Sequence, residues 1–152
     1  MFEAVIRRPG VYEYDLVRAL VQTVVDEIYG GLWAQPPLPV DEERWDLSWV
    51  AVVDAKIVGM VLTHEEWIDD LWVLRESRGG GVGEKLLGQG EAEIVGRGRR
   101  TCRLRVVKSN AAAIRFYRRH GWQADREFPH EIFPVAMLEM IKPANRQITA
   151  HR

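Results

Sequence analysis

The chain has 152 residues, enough for one domain with a full-sized core. Its 21 Lys and Arg stand against 22 Asp and Glu, a formal net charge of −1, so overall charge gives no support to polyanion binding. The single cysteine, Cys102, excludes an internal disulfide, and no apolar run approaches the roughly 18 residues of a membrane span. The opening M-F-E-A-V-I-R-R-P lacks a signal-peptide pattern. A cytoplasmic protein is therefore expected, with neither membrane nor nucleic acid as a partner.

In chain order, Phe2 to Arg8 alternates apolar and polar residues, and this pattern predicts a strand closed by Pro9-Gly10. Leu16, Ala19, Leu20, Val24 and Ile28 recur at helical spacing, with Asp15 as the expected N-cap and Gly30-Gly31 as the stop. Leu32 to Leu47 holds Pro36, Pro37 and Pro39 with Trp33 and Trp45, and matches no regular element beyond a short helix over Asp41 to Trp45. Trp49–Val53 and Lys56–Leu62 read as a hairpin around Asp54-Ala55, locally weakened by Gly59. A strand from Trp67 follows, then a glycine cluster, then a helix marked by Val82, Leu86, Ile94 and Val95. Gly88 and Gly90 inside that helix each cost about 1 kcal/mol against Ala, and close packing on a sheet is the expected compensation. Thr101 to Val107 is a buried-type strand. Ser109-Asn110 caps a further helix to His120, with Gly121 at C′. Trp122–Phe128 and Phe133–Ile141 form two last antiparallel strands. Residues 1–142 read as one domain and 143–152 as a polar tail.

The stretch Trp67 to Leu87 carries the chemistry. Ile68, Leu71 and Val73 are spaced three and then two, so one extra residue, a β-bulge near Asp69–Asp70, is expected. The glycine cluster precedes a helix start, where unpaired N–H groups and the positive dipole end attract phosphate. Neither glycine frame gives G-x-G-x-x-G, since the sixth position is Glu84 or Leu86, and Gly83 is followed by Glu84-Lys85-Leu86 rather than Lys-Ser/Thr. What stands is Arg78-x-x-Gly81-x-Gly83 and, downstream, Asn110-x-x-Ala113-x-x-Phe116-Tyr117-x-x-x-Gly121-Trp122.

Those two motifs, in this order and at this distance, resemble the GNAT superfamily of acyl-CoA-dependent N-acetyltransferases, and the resemblance covers about Trp49 to Ile141. It implies a three-layer α/β (α+β) fold: a mixed, mostly antiparallel sheet of about seven strands, splayed near its bulged central strand and flanked by helices. It implies acetyl-CoA as co-substrate without a metal, and an amine acceptor on a small molecule or a peptide or protein. Leu71, Trp72 and Val73 would hold the pantetheine arm as a mock strand. The backbone from Arg78 through Gly79, Gly80, Gly81, Val82 and Gly83 would hold the pyrophosphate. Asn110 would contact the pantetheine arm, and Tyr117 would protonate the departing CoA sulfur. Asp69 is the expected base, with Asp70, Glu66 and His64 behind it. Relatives that acetylate the N-terminal alanine of a ribosomal protein carry an acid five residues before the motif asparagine. Arg105 stands there instead, which counts against that substrate.

Plain alternatives stay open. Tyr117 could be a core aromatic, and Asp69 with Asp70 a solvated pair. His64, His120 and His130 lack metal-ligand spacing, and Cys102 reads as an inert small hydrophobe. Arg97, Arg99, Arg100 and Arg103 read as a solvated face. Trp33, Trp45 and the proline-rich segment are expected to line the acceptor pocket, and a homodimer is a candidate assembly. A CoA-binding sensor or interaction module without turnover is the competing class.

Overall fold

The computed structural model describes residues 3–30, 44–131 and 133–144. Seven strands form one open mixed sheet in the order β1-β2-β3-β4-β5-β7-β6, and three α-helices accompany it among the described residues. The strands are β1 (Val5–Arg7), β2 (Trp49–Val53), β3 (Lys56–His64), β4 (Trp67–Val73), β5 (Thr101–Val107), β6 (Gln123–Pro129) and β7 (Ala136–Pro143). The helices are α1 (Tyr14–Tyr29), α2 (Val82–Gly96) and α3 (Ala111–Arg119). Contacts divide the chain into two compact units, one of residues 1–63 and 69–90, the other of 64–68 and 91–152. No described helix is long and apolar enough to cross a membrane.

In the first unit, α1 buries Val17, Leu20, Val21 and Val24 in one cluster with Val50, Met60 and Leu62 of the sheet. Trp45 belongs to the same cluster and is 8% exposed. Trp33 and the three prolines lie outside the described residues. So do residues 41–43 of the expected short helix, although Trp45–Leu47 does form a 3-10 turn. The start of α1 also departs from expectation. A 3-10 turn over Val11–Glu13 leads into it, and Asp15 sits inside the first turn. Glu13 draws the start forward because its carboxylate accepts from Gly10 N at 2.8 Å and from both terminal nitrogens of Arg7. Those bonds, Arg7 first, hold the Glu13 carboxyl down at about 2.

β2 and β3 pair antiparallel with Val53 opposite Lys56, leaving the two-residue loop Asp54-Ala55. Both loop residues have positive φ, 54° and 65°, as the right-handed twist of a tight hairpin requires. Gly59 has a positive reason to be glycine. A Cβ there would lie 2.9 Å from Leu86 Cδ1 and 3.0 Å from the Trp72 carbonyl oxygen. α2 therefore packs tightly over β3 at Gly59, while Gly88 faces open space. The expected compensation for Gly88 by close packing is absent, because its position points away from the sheet.

In the second unit, β4 pairs parallel with β5 at Trp67–Arg103 and Ile68–Leu104, and the described ladder extends no further along β4. β5 and β6 both pair antiparallel with β7. The core side carries Cys102, Leu104 and Val106 of β5 with Leu138 and Met140 of β7. On the opposite side, Arg103 reaches Glu66 and Glu139, and Arg126 reaches Glu139, so the arginines expected as a solvated face include members of an ion-pair network. Arg99 also pairs with Glu66. β7 runs to Pro143, and residues 145–152 of the expected tail lie outside the described residues.

Candidate functional site

Within the first unit, β4 ends at Val73 and the chain passes through a 3-10 turn, Arg75–Ser77, before the glycines. Gly79 and Gly81 hold φ of +84° and +89°, a region costly for any residue with a side chain. A Cβ added at Gly79, Gly80 or Gly81 would meet nothing within 4 Å, so the turn presents an open backbone surface. The carbonyl of Gly81 accepts from Lys85 N at 3.1 Å and opens α2. Helix geometry leaves the first-turn amides of Val82 and Gly83 without an intrahelical acceptor, at the positive end of the dipole. Val82, 7% exposed, anchors this start in the core.

Arg78 is exposed, yet it is engaged by other residues of the protein. Its backbone N–H donates to Arg75 O at 3.3 Å, and its Nε donates to Val73 O at 3.0 Å. Its two terminal nitrogens fork onto the Glu27 carboxylate at 2.9 and 3.0 Å. The amides that the turn presents are accordingly those from Gly79 to Gly83. Sequence reasoning does not single out Glu27. It lies on the polar side of α1, 51 residues away, where no local pattern marks it.

Along β4, burial alternates from Ile68 (in) to Asp69 (out) to Asp70 (in), and Leu71, Trp72 and Val73 are all half-buried. The strict alternation is lost from Leu71 onward. Asp69 is exposed. Asp70 is 8% exposed and accepts from Trp72 Nε1 at 2.9 Å, while the Trp72 ring stands edge-on to Tyr29 at 6.1 Å. Of the other candidate bases, Glu66 is paired with Arg99 and Arg103, and His64 is exposed.

The remaining predicted residues lie in the second unit. Asn110 is the N-cap of α3, its Oδ1 accepting from Ala113 N at 3.2 Å. Tyr117 is 9% exposed, with Phe116 edge-on at 5.4 Å and Trp122 tilted at 5.9 Å. Gly121 takes φ +92° after α3 and turns the chain so that Trp122 enters the core, its Nε1 donating to Glu91 at 2.9 Å. In the second motif, Asn110 thus caps the helix, Phe116 and Tyr117 pack as aromatics, Gly121 makes the left-handed stop and Trp122 anchors the chain beyond it. Arg105 stacks over Trp67 at 4.8 Å and over Phe128 at 5.5 Å. Cys102 is 2% exposed, and desolvation pushes its thiol up to about 11, so it is protonated at neutral pH. His120 packs its ring on Phe116, and His130 Nδ1 accepts from Phe133 N.

The model of the Acetyltransferase (GNAT) family matches residues 18–122, and the chain belongs to that family. Among curated proteins, none matches the chain. Solved structures share the fold at low identity. A PaiA N-acetyltransferase from Thermoplasma acidophilum, in complex with coenzyme A, superposes with a TM-score of 0.75 at 15% identity, over 93% of this chain and 99% of that one. A ribosomal-protein-alanine N-acetyltransferase from Brucella melitensis gives 0.74 at 18% identity, over 91% and 99%. An N-acetyltransferase from Staphylococcus aureus gives 0.76 at 14% identity, over 94% and 99%.

Proposed function

We propose that the protein moves the acetyl group of acetyl-CoA directly to a primary amine, on a small molecule or on a peptide or protein. The observation that carries this reading is the open, positive-φ turn Gly79–Gly81 at the head of α2, in a member of the acetyltransferase family. The turn suits a diphosphate: backbone donors stand where a Cβ would meet no protein atom, and the helix dipole adds positive potential. The PaiA relative is in complex with coenzyme A, which supports the same ligand here.

In this reading, Leu71, Trp72 and Val73 hold the pantetheine arm through their backbone, with Asn110 as a further contact. An alkylamine with a pKa of about 10.4 is mostly protonated at neutral pH and must lose a proton before it attacks the thioester carbon. Asp69 takes that proton, directly or through water, because it is the exposed member of the acid pair, whereas the Asp70 carboxylate receives the Trp72 indole N–H. As the C–S bond breaks, Tyr117 gives its phenolic proton to the sulfur. The products are the N-acetylated amine and CoA.

The test is thiol release with a panel of amines. Tyr117→Phe keeps the ring packing against Phe116 and Trp122, so it should bind acetyl-CoA as the parent does while kcat falls about 10²-fold or more. Asp69→Asn should lower kcat, with Asp70→Asn as the control. Binding of acetyl-CoA by a parent that turns over no amine on a broad panel would point instead to a CoA-binding module.

A further inference from the structure

Arg78 opens the glycine turn, and its guanidinium is held by other residues of the protein. Three of its N–H groups are spent on the protein: two on Glu27 at 2.9 and 3.0 Å, one on the Val73 carbonyl at 3.0 Å. Those partners belong to separate segments, α1 and the end of β4. A planar guanidinium satisfied at both edges has its position and its orientation fixed, which a lysine could not achieve. The next residue in the chain is Gly79, in the left-handed region, followed by glycines at 80, 81 and 83. Such a run is the least restrained backbone a chain can offer, so something outside it must hold the conformation.

We propose that Glu27 is a positioning residue for coenzyme binding. By forking onto Arg78 it clamps the head of the turn to α1 and presets the amides of Gly79–Gly83 for the diphosphate. Arg78 then acts through the turn it anchors and not as a phosphate ligand, since Glu27 neutralises its charge. The inference rests on the reading of the turn as the acetyl-CoA cradle. It assigns a role to α1 that neither motif contains. Preorganising the turn lowers the ordering cost of binding and leaves the chemical step untouched. The effect therefore belongs in the KM for acetyl-CoA and not in kcat.

The experiment is a double-mutant cycle of Glu27→Ala and Arg78→Ala, with Glu27→Gln as the variant that retains volume and loses charge. Each single change should raise the KM for acetyl-CoA about tenfold with kcat within about twofold, and the double variant should be no worse than either single one. In coenzyme-free protein, backbone order parameters of Gly79–Gly83 should fall from about 0.85 toward 0.6 in the Glu27 variants, with β5 and α3 unaltered. A raised KM in Arg78→Ala beside an unaltered KM and unaltered order parameters in both Glu27 variants would overturn the proposal and make Arg78 a direct phosphate ligand. Should the parent take up no acetyl-CoA, the reading of the turn falls, while the order parameters still decide whether Glu27 holds it.

Discussion

Gly59 and Gly88 are the same residue under opposite constraints. At Gly59 a methyl group would press on Leu86 and on the backbone carbonyl of Trp72, and only the leucine can turn away. Gly59→Ala should therefore destabilise the protein by about 1–3 kcal/mol, the usual range for an overpacked site. At Gly88 a methyl group would project into open space from the interior of a helix, so Gly88→Ala should add about 0.5–1 kcal/mol. Urea titration of both variants checks the pair, and equal shifts in midpoint would refute the packing argument. Periodicity could not separate the two, because burial of a glycine leaves no apolar residue to count. Tyr117 is the converse case: its motif singles it out, and it is also a well-packed aromatic, so the plain and the functional readings are compatible at one position.

At the scale of elements, local chemistry accounts for most boundaries. β2 and β5 span Trp49–Val53 and Thr101–Val107 as their β-branched composition predicts, and α3 starts after the Asn110 cap. The hairpin between β2 and β3 closes on Asp54-Ala55 even though Ala55 sits at φ 65°. An L side chain there is strained by roughly 1–2 kcal/mol, and the turn persists because the β2–β3 ladder on either side dictates it. Ala55→Gly should relieve that strain and raise stability by about 0.5–1 kcal/mol after the entropy cost of glycine, measured as a higher melting temperature. The start of α1 departs from its predicted cap for a related reason. Asp15 has the composition of a cap, but the Arg7–Glu13 pair binds the preceding turn and brings the helix forward.

For the whole molecule, membership of the acetyltransferase family makes acetyl-CoA the ligand to test. If the glycine turn is a coenzyme cradle, ligand linkage follows. Acetyl-CoA at about 100 times its Kd should stabilise the folded chain by about 2.7 kcal/mol, a rise in Tm of roughly 5–10 °C for this size. Acetyl-pantetheine, which lacks the diphosphate, should give far less. Equal shifts from the two compounds would remove the turn from the binding site.

Features set by neighbours along the chain were legible in the order of residues: the succession of strands and helices, the two motifs, the left-handed glycines and the asparagine cap. These are demands of the local backbone, and they are written at fixed short spacings. The packed fold was needed to see that Trp45 is core, that Gly59 and not Gly88 is crowded, and that Arg78 pairs with Glu27. Each of those depends on residues brought together across many positions of chain, and a contact between distant segments leaves no spacing for a single sequence to display.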